Sequence, residues 1–326
     1  MEERQGCSLT HRPNRTATAL AYAALVGVGG VVLLPLLWAG MASVQPLDDV
    51  YAYPPKWCPE SPQWSNYLDA TRRLPFFRFM LNSLLIAVPS VVGAVLTSAM
   101  AGYAFARLPW RGKRFWFVVL LASMMIPSQV LLIPHFLIFK TLGWVGTYKP
   151  LIVPAWLGGG AFNVLLFRQV FKAMPREFEE AALIDGATRW QVFMRVLLPA
   201  AKPAVAAAAA MSFVIHWQEF LKPLIYLSDF RTYPISLGLR MYQSVSGSWT
   251  NLLMAAGLLA LVPVVVVWAI AQRHLTALAG RSARTQTGPM ALERLSDDIR
   301  SPAGDSCLSS ATHPGLRSPN APNPKR

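Results

Sequence analysis

Hydrophobic residues fall along this chain in long blocks, not at the spacing of one helical face. Six blocks, at 19–43, 80–106, 115–139, 151–171, 204–225 and 252–271, each reach the length of about 20 residues that a helix needs to cross a bilayer core. The polar stretches between them are short except at 44–77, 172–202 and 226–251. This pattern predicts an all-α integral membrane protein with six transmembrane helices. Pro35, Pro89, Pro127, Pro134, Pro154 and Pro263 lie inside the blocks and must bend or break them. Gly158-Gly159-Gly160, in the fourth block, reads as close packing or a break.

The first block also suits a cleaved signal peptide, because Gly40-Met41-Ala42 has a small-x-small form. Signal cores span only about 7–15 apolar residues, which favours a retained helix. The segment 44–77 is rich in Pro, Tyr and Trp and predicts an exterior loop, without regular helix for most of its length. Its aromatics suit the membrane interface or a contact with a soluble partner. The run 200–210, nearly all alanine, predicts a helix packed inside the bundle, since small side chains let backbones approach.

Composition agrees with a membrane protein. Only 14% of the 326 residues are charged, against about 25% in soluble domains. The net charge of +14 would suit nucleic acid, but the basic residues sit in loops beside apolar blocks and no nucleic-acid motif accompanies them. Arg107, Arg111, Lys113 and Arg114 fill one loop, and Lys172, Arg176, Arg189, Arg195 and Lys202 another; the alternate loops carry only Lys140 and Lys149, or Arg231 and Arg240. Positive loops stay cytoplasmic, which puts both termini and the 172–202 loop inside. The domain organisation expected is a cytoplasmic tail at 1–18, a membrane domain at 19–275 and a disordered cytoplasmic tail at 276–326. Cys7, Cys58 and Cys307 are too scattered for a disulfide framework. His216 and Glu219 lack a third ligand, so metal binding is not expected.

The 175–199 stretch, PREFEEAALIDGATRWQVFMRVLLP, interrupts the apolar blocks. Pro175 sets a start, and Glu177, Glu179 and Glu180 fall in a first turn, where the helix N-terminus favours negative charge. Gly186 suits the left-handed conformation that ends a helix. A second amphipathic run, 187–198, carries Trp190, Phe193, Met194 and Leu197 on one face, and Pro199 closes it. The prediction is a short helix, a glycine turn and a second helix against the membrane surface.

Glu180-Ala181-Ala182, then Gly186, then Leu198-Pro199 at these distances resembles the EAA signature of permease subunits of ATP-binding-cassette (ABC) importers. The fuller string resembles the sugar-importing, maltose-type, binding-protein-dependent branch. Looser resemblances lie at Asn82-Ser83, at Tyr103 to Arg107, at Met124-Met125-Ile126-Pro127, and at Trp217-Gln218-Glu219-Phe220, where Gln218 replaces the usual Asn. Gln272-Arg273-His274 matches the usual exit from the last helix, whereas Leu278-Ala279-Gly280-Arg281 departs from the family's tail.

The resemblance implies a type I ABC importer transmembrane fold in a bacterial cytoplasmic membrane. The partners implied are a cytoplasmic ABC ATPase dimer, a second related permease in a heterodimer, and an extracytoplasmic solute-binding protein. It further implies that Glu179, Glu180, Ala181, Ala182, Asp185, Gly186, Leu198 and Pro199 couple to the ATPase, with Glu180 meeting a basic group there. The chain has no G-x-x-x-x-G-K-[ST] loop, so it is not expected to be an enzyme; ATP and Mg would be bound by the partner. Polar residues inside apolar blocks make Ser123, Gln129, Asn163, His216 and Gln218 candidates for a translocation path, although each alone better suits an interhelical hydrogen bond. An ion-coupled secondary transporter is the competing class. It predicts inverted repeats and intramembrane charge pairs, and neither is visible in the sequence.

Overall fold

A computed structural model describes residues 15–54, 56, 57, 59–244 and 247–286. Cys7, Cys58 and Cys307, and the tail expected to be disordered beyond 286, lie outside the described residues.

Helix α1 (Arg15–Ser43) runs unbroken through Pro35 and leaves its apolar surface exposed. Two short helices follow, α2 (Leu47–Val50) and α3 (Ser65–Arg73). The second forms because 65–73 is the proline-free part of its segment, between Pro62 and Pro75.

The chain is built around α4 (Phe76–Ala106), 31 residues and therefore roughly 46 Å long. At its Phe76 end, Phe76 and Phe79 pack with Trp217, Ile235, Tyr242 and Leu252. At its Ala106 end, Tyr103 packs with Phe167, Phe171, Phe193 and Leu197. Between them Gly93, Ala94, Ser98, Ala99 and Gly102 are buried, and this narrow strip lets neighbouring helices approach the backbone.

The third apolar block breaks at a proline inside it, as Pro127 predicts. It forms α5 (Lys113–Ser123) and α6 (Leu132–Thr141), separated by a non-helical stretch at 124–131. Pro127 sits in that gap, where its missing N–H and fixed φ oppose a continuous helix. The fourth block is interrupted as its glycines suggest. Between α7 (Lys149–Trp156) and α8 (Ala161–Ala173), Gly158, Gly159 and Gly160 have φ of 130°, 63° and 89°.

The 175–199 stretch forms α9 (Glu177–Ile184) and α10 (Arg189–Ala200), the latter π-helical over Val192–Leu197. A 79° bend then leads into α11 (Lys202–Gln218). The bend falls at Ala201, flanked by Pro199 and Pro203, neither of which can donate to a helical ladder. Crossing α11 at nearly a right angle, α10 has the orientation a surface helix needs. On α11, Ala204, Ala208 and Ala210 are buried, in line with the packing expected of the alanine run.

The fifth block also breaks, after Gln218, before α12 (Leu221–Tyr226). Then come α13 (Ile235–Arg240), a two-residue antiparallel ladder between β1 (Gln243–Ser244) and β2 (Gly247–Ser248), and α14 (Thr250–Gln286). That last helix continues beyond the end expected at 271. Among the described residues four helices are long and apolar enough to cross a membrane, α7 and α8 counting together as one of them, and the bent pair would make a fifth. Six requires α5 and α6 to act as one crossing.

The connections sort to two ends. At the Phe76 end, Tyr242 Oη donates to Ala70 O at 2.5 Å, Asn82 Nδ2 to Arg231 O at 2.9 Å, and Gly146 N to Tyr226 O at 2.7 Å. At the Ala106 end, the basic loop after α4 meets the α8–α9 connection.

Candidate functional site

Helix α9 ends in a compact hydrogen-bonded turn. Gly186 N donates to Leu183 O at 3.1 Å and Ala187 N to Ala182 O at 3.0 Å, the paired bonds of a Schellman motif. Gly186 takes φ +82°, which glycine reaches without Cβ strain. Two residues later Thr188 opens α10 with a capping box: Thr188 N donates to Gln191 Oε1 at 2.8 Å, and Gln191 N to Thr188 Oγ1 at 3.3 Å. Only residues 185–188 join the two helices, making a knuckle of α9 and α10. In the sequence the capping-box signature is Thr188-x-x-Gln191.

The knuckle has two faces. Ala182 and Ala187 turn inward against the Tyr103–Phe193 cluster, and Phe193 stacks on Tyr103 with centroids 5.3 Å apart. Outward, Phe178, Ala181, Ile184 and Asp185 are exposed at three- and four-residue spacings, with Ile184 85% exposed. Glu180 is exposed with them, whereas Glu179 is directed inward. Gly186 and Pro199 are exposed and Leu198 is half-buried. The face expected on α10 is revised: Val192, Phe193 and Leu197 are buried, while Trp190 and Met194 stay partly exposed.

Glu179 meets Arg107, the residue after α4. Arg107 Nε lies 3.9 Å from Glu179 Oε2, with the two side chains 5% and 12% exposed. Tyr103 Oη donates to Glu179 Oε1 at 3.4 Å. The same guanidinium donates from Nε to Phe171 O at 2.9 Å and from Nη2 to Met174 O. Its basic loop was legible as topology, but its inward reach was not.

Of the five path candidates, the structure brings two together. Asn163 and His216 line a cavity of about 290 Å³ with His135, Ser212, Lys222 and Tyr226. Asn163 Nδ2 donates to Gly159 O at 2.9 Å and to Ser212 Oγ at 3.0 Å, joining the α7–α8 break to α11. Lys222 pairs with Glu219 at 3.0 Å. Gln218 faces a separate open groove beside Arg240, Gln243 and Leu253. Ser123 is exposed and bonds its own helix at Leu120 O, and Gln129 is exposed in the gap before α6. His135 was missed, although it too is a titratable residue inside an apolar block.

The family model for binding-protein-dependent transport system inner membrane components matches residues 93–279. The diacetylchitobiose uptake system permease protein NgcG of Streptomyces coelicolor is 29% identical, over 80% of this chain and 87% of its own. The sn-glycerol-3-phosphate transport system permease protein UgpE of Yersinia pestis is 32% identical, over 74% and 89%. Among solved structures, a bacterial ABC transporter involved in the import of the acidic polysaccharide alginate shares the fold. Its TM-score is 0.69 at 22% identity, over 80% of this chain and 97% of that one.

Proposed function

This chain belongs to the binding-protein-dependent transport system inner membrane components, and on that premise we propose that it is one permease of a sugar- or oligosaccharide-importing ABC transporter. The observation that carries the reading is the knuckle, with an apolar outward face of Phe178, Ala181 and Ile184 beside the exposed Glu180. An amphipathic helix of this kind suits a groove on a soluble partner. On that outward face Ala181 keeps the helix slim enough to seat. The partner would be a cytoplasmic ABC ATPase dimer, which would bind the ATP and Mg. Seating there places the Ala106 end of the bundle in the cytoplasm, as the charge distribution expects.

A second permease would complete the pore and cover apolar surface such as that of α1. A solute-binding protein would deliver cargo to the Phe76 end. The sugar assignment draws support from relatives named for diacetylchitobiose and sn-glycerol-3-phosphate uptake. Family membership does not favour the ion-coupled alternative.

Purification of the tagged full chain from gently solubilised membranes tests the reading. An ABC ATPase and a second permease should co-purify, and Glu180→Lys should lose the ATPase while inserting normally. Unchanged ATPase recovery with Glu180→Lys would remove the knuckle from the docking site. Solute uptake that persists without any ATPase would overturn the transporter class.

A further inference from the structure

We propose that Arg107 is a positioning residue that makes the knuckle move as one body with α4 and α8. The inference rests on the knuckle receiving the force of an ATPase, as proposed above. Between α8 and α9 lie only Met174, Pro175 and Arg176, a non-helical connection that could flex under load. Arg107 spans it. Nε and Nη2, along one edge of its guanidinium, donate to Phe171 O and Met174 O, at the C-terminal end of α8. Carbonyls there lack helical partners, and the helix dipole favours a cation. The same group faces the Glu179 carboxylate on the far side of the connection.

Adjacent glutamates therefore divide two tasks. Successive residues on a helix point about 100° apart, so Glu179 reaches the strut while Glu180 stays outside. Tyr103 adds a second tie from α4 to Glu179. The planar fork of Arg donates to two carbonyls from fixed directions while its charge faces the carboxylate, whereas a lysine ammonium concentrates its donors at one point. Because the pair is buried, removing either charge leaves the other uncompensated and loosens the contact. Force on α9 would then be absorbed at 174–176 before it reached the bundle.

The test uses Glu179→Gln and Arg107→Lys in the reconstituted transporter, together with hydrogen exchange on the solubilised complex. In Glu179→Gln the ATPase should still co-purify, and the amides of 177–186 should exchange about tenfold faster. ATP hydrolysed per solute imported should rise by about fivefold, the factor that a lost coupling free energy of about 1 kcal/mol represents. Arg107→Lys should fall between wild type and Glu179→Gln. Hydrolysis and uptake that fall in parallel, an unchanged ratio, or failure of both variants to insert would each overturn the strut. Loss of the ATPase from wild type itself would instead sink the docking reading, and the strut with it.

Discussion

Gly102 lies directly against Phe167. A Cβ at position 102 would stand 2.6 Å from the Phe167 Cβ and 2.9 Å from the Arg168 backbone nitrogen. The obstruction is the first carbon of Phe167 and a backbone atom, so no rotamer change clears it. Overpacking of this kind costs about 1–3 kcal/mol. Gly102→Ala should lower the thermal unfolding midpoint of the detergent-solubilised chain, and Gly102→Val should lower it further. A Gly102→Val chain as stable as wild type would show that α4 and α8 do not pack this closely.

Gly186 differs from Gly102, because a Cβ there would meet nothing within 4 Å. The constraint is its φ of +82° alone. Substitution should therefore follow left-handed propensity rather than size. Gly186→Asn should be mildest, Gly186→Ala should cost about 1 kcal/mol, and Gly186→Val should be worst. ATPase recovery and exchange of the 182–187 amides should decline in that order. A size-ordered series would contradict the conformational account.

These two glycines show where the sequence could be read and where it could not. Gly186 was legible because its role is local: an acidic first turn precedes it and an amphipathic run follows it. Gly102 was silent because its role depends on a residue 65 positions later. The same division runs through the site. The ends of α9 followed from Pro175 and Gly186, while the inward turn of Glu179 depended on where α4 ends. Block length forecast the fourth crossing, 151–171, and Pro127 marked a bend or break in the third block, but neither gave the extent of the gap at 124–131. Asn163 and His216 were identified as polar residues at membrane depth. Ser123, Gln129 and Gln218 passed the same filter and fall elsewhere, because position along a block does not say which way a side chain faces.

Tyr242 supplies an alkaline stability signature. It is buried against α3, its hydroxyl donates to Ala70 O, and burial pushes its pKa up to about 12. The neutral phenol is favoured by folding, so its contribution is complete below the unfolded value of about 10. That contribution is lost as pH rises through about 12. Tyr242→Phe should cost about 1 kcal/mol at neutral pH, the size of one hydrogen bond. The gap between the two proteins in thermal midpoint should narrow as pH rises above 10. A gap constant from pH 8 to 11.5 would show that the hydroxyl is not buried.

Asn163 and His216 share a cavity but should respond differently to substitution. Both hydrogen-bonding partners of the Asn163 amide nitrogen are protein atoms, Gly159 O and Ser212 Oγ, so it ties the glycine break to α11. Asn163→Ala should destabilise the chain by about 1 kcal/mol, in the range of interhelical hydrogen bonds in membranes. It should leave the transport KM unchanged once protein amount is corrected. The half-buried His216 lines the same space, and its side chain makes no hydrogen bond among the described residues. Its polar edge is available to a solute, so His216→Ala should raise KM several-fold with little change in stability. If His216→Ala lowers the unfolding midpoint as much as Asn163→Ala does and leaves KM alone, the cavity is a packing feature of the bundle.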